Sequence, residues 1–111
     1  MKKENCTESC KGIIIENKVR SRNNSNLLTV EYEVSGKKYQ LKEQQIMKPY
    51  KKIKLGFIPI GYKAKSLIEI NTGISTTPGN KVTVKYNKEK PQEAYLKDNN
   101  IFYMKIIIIY I

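Results

Sequence analysis

At 111 residues the chain has room for one modest hydrophobic core and not for two, so it reads as a single domain. An apolar share of 40% beside 10 acidic residues excludes a chain that stays disordered. A net charge of +11 turns attention to anionic partners, while the absence of histidine removes the side chain most used in acid–base catalysis.

The charge is carried almost wholly by lysine, with Arg20 and Arg22 the only arginines. Nucleic-acid recognition favours the planar guanidinium. A genome poor in G and C would also produce this Lys, Ile and Asn bias without any functional demand. Met1 to Glu4 lead into polar residues and not into an apolar core, so no signal peptide is expected.

Residues 1–10 form an N-terminal polar segment holding both cysteines, Cys6 and Cys10. Without histidine they cannot complete a four-ligand zinc site within one chain, so no metal is expected. In an extended segment their Cα atoms lie about 13 Å apart at roughly 3.3 Å per residue, outside disulfide reach; only a helical turn would bring them near. The expectation is two inert thiols.

Residues 11–98 are expected to be one β domain. Lys11 to Val19, with Ile13, Ile14 and Ile15, suits a first strand in which either Ile13 and Ile15 or Ile14 faces the core. Ser21 to Asn26 is polar and reads as an exposed loop. Leu27 to Leu41 alternates on both sides of Ser35 and Gly36, which predicts a hairpin. A two-residue loop there opposes Val34 to Lys37, Tyr32 to Tyr39 and Val30 to Leu41 on an apolar face shared with Leu28. The polar face then opposes Glu33 to Lys38 and Glu31 to Gln40.

Lys48 to Lys65 predicts a second hairpin from the alternation of Ile53, Leu55 and Phe57, then Ile60, Tyr62 and Ala64, with Pro59 in the turn or on an edge. After the punctuation of Thr77, Pro78 and Gly79, Val82, Val84 and Tyr86 alternate with lysine and threonine as a half-buried strand. Asn87 to Pro91 turns the chain into a short closing strand, Glu93 to Leu96. No stretch shows a sustained three-and-four apolar spacing with caps. The expected class is therefore all-β, a small antiparallel barrel or sandwich of about five to seven strands.

Residues 99–111 are an Ile-rich C-terminal segment. From Ile101 to Ile111 a helix would reach about 16 Å at 1.5 Å per residue, half the hydrocarbon core, so it is not a complete transmembrane helix. It reads as a final strand, an incomplete membrane anchor or a disordered tail. Ile106, Ile107, Ile108, Ile109, Tyr110 and Ile111 are the candidate membrane contacts.

Catalytic chemistry finds no foothold. Asp98 is the only aspartate, Ser66 beside Lys65 lacks a nucleophile-elbow spacing, and Gly56, Gly61, Gly73 and Gly79 match no phosphate-binding fingerprint. No catalytic residue, cofactor or small-molecule substrate is expected. Tyr32, Tyr39 and Tyr86 share a face with Leu or Val and should point inward, unavailable for base stacking. Tyr50 differs, lying among Lys48, Lys51, Lys52 and Lys54. That cluster is the candidate contact for an anionic surface, the plainer alternative being a solvated loop.

Three groups of residues carry a resemblance to a known family: Cys6 and Thr7 with Gly12 and Ile14; Tyr32 to Lys37 with Tyr39; and Val82, Val84, Tyr86, Asn87, Pro91, Ala94 and Leu96. Over about Cys6 to Leu96 the chain resembles the domain-of-unknown-function family numbered 3592, small bacterial β domains often found beside membrane helices. The family usually has proline after the Asn of the closing motif, where this chain has Lys88. The resemblance implies membrane association and supplies no catalytic residues. Taken together, the expectation is a non-enzymatic β module acting through an unknown protein or an anionic membrane surface, cytoplasmic if the tail is not an anchor. The alternative is a small basic barrel that binds nucleic acid.

Overall fold

The structure, a computed structural model, describes the backbone of residues 2–19 and 26–99, and their side chains except at 19, 49–54 and 59–64. β-branched and aromatic residues at two-residue spacing, broken by turn residues, make seven strands among the described residues. A 3-10 turn over Lys3–Asn5 leads into β1 (Glu8–Val19), β2 (Asn26–Val34), β3 (Lys37–Gln44), β4 (Met47–Leu55) and β5 (Ile58–Ser66). A short helix α1 (Leu67–Thr72) then precedes β6 (Lys81–Tyr86) and β7 (Ala94–Leu96).

Five strands join in the order β3-β2-β1-β6-β7, every pair antiparallel, and the sheet curls into a half-barrel; β4 and β5 form a separate two-stranded ribbon. The core comprises Ile14, Leu28, Val30, Tyr32, Val82, Val84, Ala94 and Leu96 from the sheet, with Ile68 of α1. Alternation along the strands delivers the sheet residues to one side, where Ile68 joins them, and that shared burial is the main driving force for the fold.

The β2–β3 hairpin has the expected register, from Val34 opposite Lys37 through Tyr32 opposite Tyr39 to Val30 opposite Leu41. Ser35 and Gly36 both take positive φ, 52° and 82°, the type I′ geometry whose twist matches the flanking strands. On the polar face Glu33 does oppose Lys38 in register, but the Lys38 ammonium lies 3.8 Å from Glu31, the diagonal neighbour.

In β1 the core residue is Ile14, fully buried, whereas Ile13 and Ile15 are about half exposed on the other face. β1 also starts at Glu8, ahead of the expected Lys11, because Glu8 to Ile13 pair with Tyr86 to Lys81 of β6. Cys6, just before it, is buried. The short closing strand is present as β7, paired to β6.

Helix α1 was not foreseen from periodicity, which six residues are too few to establish. Its signals are at its ends. The Ser66 hydroxyl accepts from the Glu69 N–H at 3.2 Å, and Gly73 closes the helix in the left-handed region at φ 74°. Leu67 and Ile68 are its buried residues.

The half-barrel's edge strands, β3 and β7, are bridged by side chains. Glu43 accepts from the Leu96 N–H at 3.4 Å and from the Asn99 amide at 2.7 Å; Asn99 also donates to the Gln44 carbonyl and accepts from the Ile46 N–H. Burial pushes the Glu43 carboxyl above its usual range, partly offset by the bonds from Asn99 and Leu96. Of the loop expected over Ser21 to Asn26, residues 21–25 lie outside the described residues and Asn26 opens β2, and the Ile101 to Ile111 segment also lies outside them.

Candidate functional site

The ribbon β4–β5 is set apart by its own sequence. Pro49 and Pro59 cannot donate to a ladder, and each sits beside a register irregularity, so neither strand suits the interior of a larger sheet. Tyr50 is the extra residue of the first irregularity, between Pro49, opposite Ala64, and Lys51, opposite Lys63. The base of the ribbon is tied down where Ile46 N–H donates to Asn99 and the Leu67 N–H donates to the Ile46 carbonyl at 2.9 Å. At roughly 3.3 Å per residue, its nine-residue strands carry the turn about 30 Å from that base.

All five residues of the expected basic cluster, Lys48, Tyr50, Lys51, Lys52 and Lys54, lie on β4. The ladder adds two lysines that sequence reasoning did not join to them, setting Lys63 opposite Lys51 and Lys65 opposite Lys48. Opposed like charges weaken a ladder. From Met47 to Ser66 there are six lysines and no acidic residue, against a net +11 for the whole chain. More than half of the net charge is therefore concentrated in this hairpin.

The turn lies at Gly56 and Phe57, ahead of Pro59, with Leu55 closing against Ile58 and Gly56 at φ 64°. This corrects the alternation in which Leu55 and Phe57 belonged to an apolar face. Phe57 is fully exposed, Leu55 is 70% exposed and Ile58 66%. The site thus joins a lysine-rich stem to a bare apolar tip. The glycine at the centre of the run was the available signal, because it marks a turn between two alternating segments. The candidate contacts Ile106 to Ile111 lie outside the described residues.

Elsewhere the chemistry is quiet. Burial pushes the Cys6 thiol up, with Glu93 adding to the shift and the N-terminus opposing it, and burial alone raises Cys10. Both thiols are free, and raised pKa values keep them protonated and poorly nucleophilic near neutral pH. The described residues contain no group of three or more His, Cys, Asp or Glu side chains arranged to hold a metal ion. The Tyr32 hydroxyl donates to the Pro91 carbonyl at 2.5 Å, and burial pushes its phenol up to about 12. Its ring stacks on Tyr39 at 5.6 Å between centroids, while Tyr39 and Tyr86 pack partly buried against the core. These three rings are occupied in packing, as the alternation predicted. Two open depressions among the described residues are lined, the first by Glu4, Asn5, Thr7, Asn87, Lys88 and Glu89, mostly polar, and the second by Lys11, Ile13, Glu31, Tyr32, Glu33 and Lys38, evenly polar and apolar.

Fold and site together define a small basic β domain, a curled antiparallel half-barrel bearing a lysine-rich ribbon. Residues 10–100 match the family described as Domain of unknown function (DUF3592), and the chain belongs to that family. No curated protein and no solved structure matches the chain. Among the described residues, no helix is long and apolar enough to cross a membrane.

Proposed function

We propose that the protein is a non-enzymatic β module that works at an anionic membrane surface, with the β4–β5 ribbon as its contact. The observation that carries this is the concentration of six lysines, with no acid, on a ribbon whose own pairing is weakened by them. Near an anionic leaflet each such lysine contributes about 1 kcal/mol, fading within a Debye length of roughly 8–10 Å. The absence of histidine supports a role in contact and not in catalysis. Nucleic acid is less well served, because Tyr32, Tyr39 and Tyr86 are packed against the core and the ribbon offers lysine without arginine.

Co-sedimentation across a salt series tests this, using phosphatidylcholine vesicles with and without phosphatidylserine. Association is expected only with the anionic vesicles, weakening as salt rises, and Lys51→Glu with Lys63→Glu should reduce it about tenfold or more. Deleting 101–111, which lies wholly beyond the family match, should leave that salt-sensitive part in place. Equal binding to neutral vesicles, or none at low salt, defeats the proposal. Tighter binding to single-stranded DNA in a parallel filter assay, lost in the same lysine variant, would make nucleic acid the partner.

A further inference from the structure

The lysines account for attraction to a charged surface but not for the apolar tip. Phe57 and its neighbours Leu55 and Ile58 are between 66% and 101% exposed, whereas the other large exposed hydrophobics among the described residues, Ile13, Ile15, Ile70 and Ile74, lie between 38% and 45%. Three bare apolar side chains at one turn and the residue pair that closes it are costly in water, and an isolated two-stranded ribbon is itself marginal without a partner surface. The geometry points to this tip as a wedge that enters the headgroup layer of an anionic bilayer, a proposal that rests on the membrane-surface reading above.

Charge order along the ribbon selects this occupant. Directly behind the tip come Lys54 on β4, opposite Pro59, and then Lys52, opposite Tyr62. A tip that sinks about 5–10 Å to the headgroup–acyl boundary brings the following lysines level with lipid phosphates. A neutral apolar partner would satisfy the tip and strand the lysines, and a nucleic acid would do the reverse. Depth is limited by the backbone. A two-stranded ribbon has unpaired N–H and C=O groups along both outer edges, which hydrocarbon cannot satisfy, so insertion stops at the interface and does not become a span.

The chain contains no tryptophan, so Phe57→Trp creates a single indole reporter at a position exposed enough to leave the fold unaffected. Its emission is expected to shift to the blue when phosphatidylserine-containing vesicles are added, and lipids brominated on the upper acyl chain should quench it. Leu55→Ser, Phe57→Ser and Ile58→Ser together should weaken vesicle binding about tenfold or more and leave a residue of binding that high salt abolishes. If vesicles bind the reporter variant without a blue shift or quenching, the wedge is wrong while the electrostatic surface contact stands. No vesicle binding by the unsubstituted chain overturns both. A blue shift that appears with protein concentration in the absence of lipid would assign the tip to self-association and overturn the wedge.

Discussion

Gly12 lies in the middle of β1 opposite Val82, where a side chain would normally help a strand, and the structure explains why none is present. A Cβ built there would sit 2.5 Å from Val30 Cγ1, 2.9 Å from Val84 Cγ2 and 3.2 Å from the Glu31 carbonyl oxygen. Carbon atoms in contact ordinarily stand about 3.5–4.0 Å apart, so Gly12→Ala forces the Val30 methyl to give way by about 1 Å. Val30 and Val84 are both fully buried, and β-branched side chains have little freedom at χ1, so the strain passes to the backbone. Overpacking of this kind costs about 1–3 kcal/mol, and the lower chain entropy of unfolded alanine returns about 0.4–1 kcal/mol. The expected net loss is about 1–2 kcal/mol, read in urea unfolding as a lower midpoint at unchanged slope, or as a Tm drop of roughly 4–8 °C per kcal/mol. Adding Val30→Ala removes the nearest obstacle, so the double variant should be less destabilised than the sum of the two single changes by about 1 kcal/mol. A neutral or stabilising Gly12→Ala, or strict additivity with Val30→Ala, would show that the close approach of β1 to the core is not what demands glycine.

Tyr32→Phe removes the donor to the Pro91 carbonyl and should cost about 1 kcal/mol in urea unfolding; in an alkaline absorbance titration it should also delete the phenol that ionises at about 12. Glu43 has a folded pKa above its usual 4.5, so the folded state holds this proton more tightly than the unfolded chain. Its contribution favours folding as pH falls towards 4.5 and is lost as pH rises through the raised value. Glu43→Gln should flatten that part of the urea-midpoint profile, and parallel profiles for the two proteins would refute the assignment.

Local signals account for much of this architecture. The β2–β3 register follows from alternation on both sides of Ser35 and Gly36, because period-two burial and a turn with two positive φ values leave one pairing that keeps Val30, Tyr32 and Leu41 together. The same reasoning places Val82 and Val84 in the core, and the motifs around Gly12, Tyr32 and Asn87 carried the resemblance to the family that residues 10–100 match. Lys48 to Lys54 was legible as a cluster because it is contiguous in the chain.

Other features depended on partners distant along the chain. Three adjacent isoleucines satisfy either strand phase, and only pairing of β1 with both β2 and β6 makes Ile14 the buried one. The Glu43–Asn99 bridge joins groups that no local pattern connects, and its burial follows from the curl of the sheet. Lys63 and Lys65 join the basic ribbon through cross-strand register, while Leu55 and Phe57 look like core residues in any count of alternation. They lie bare because the hairpin that bears them forms its own sheet, and solvent exposure is a property of what folds against a residue and not of the residue itself.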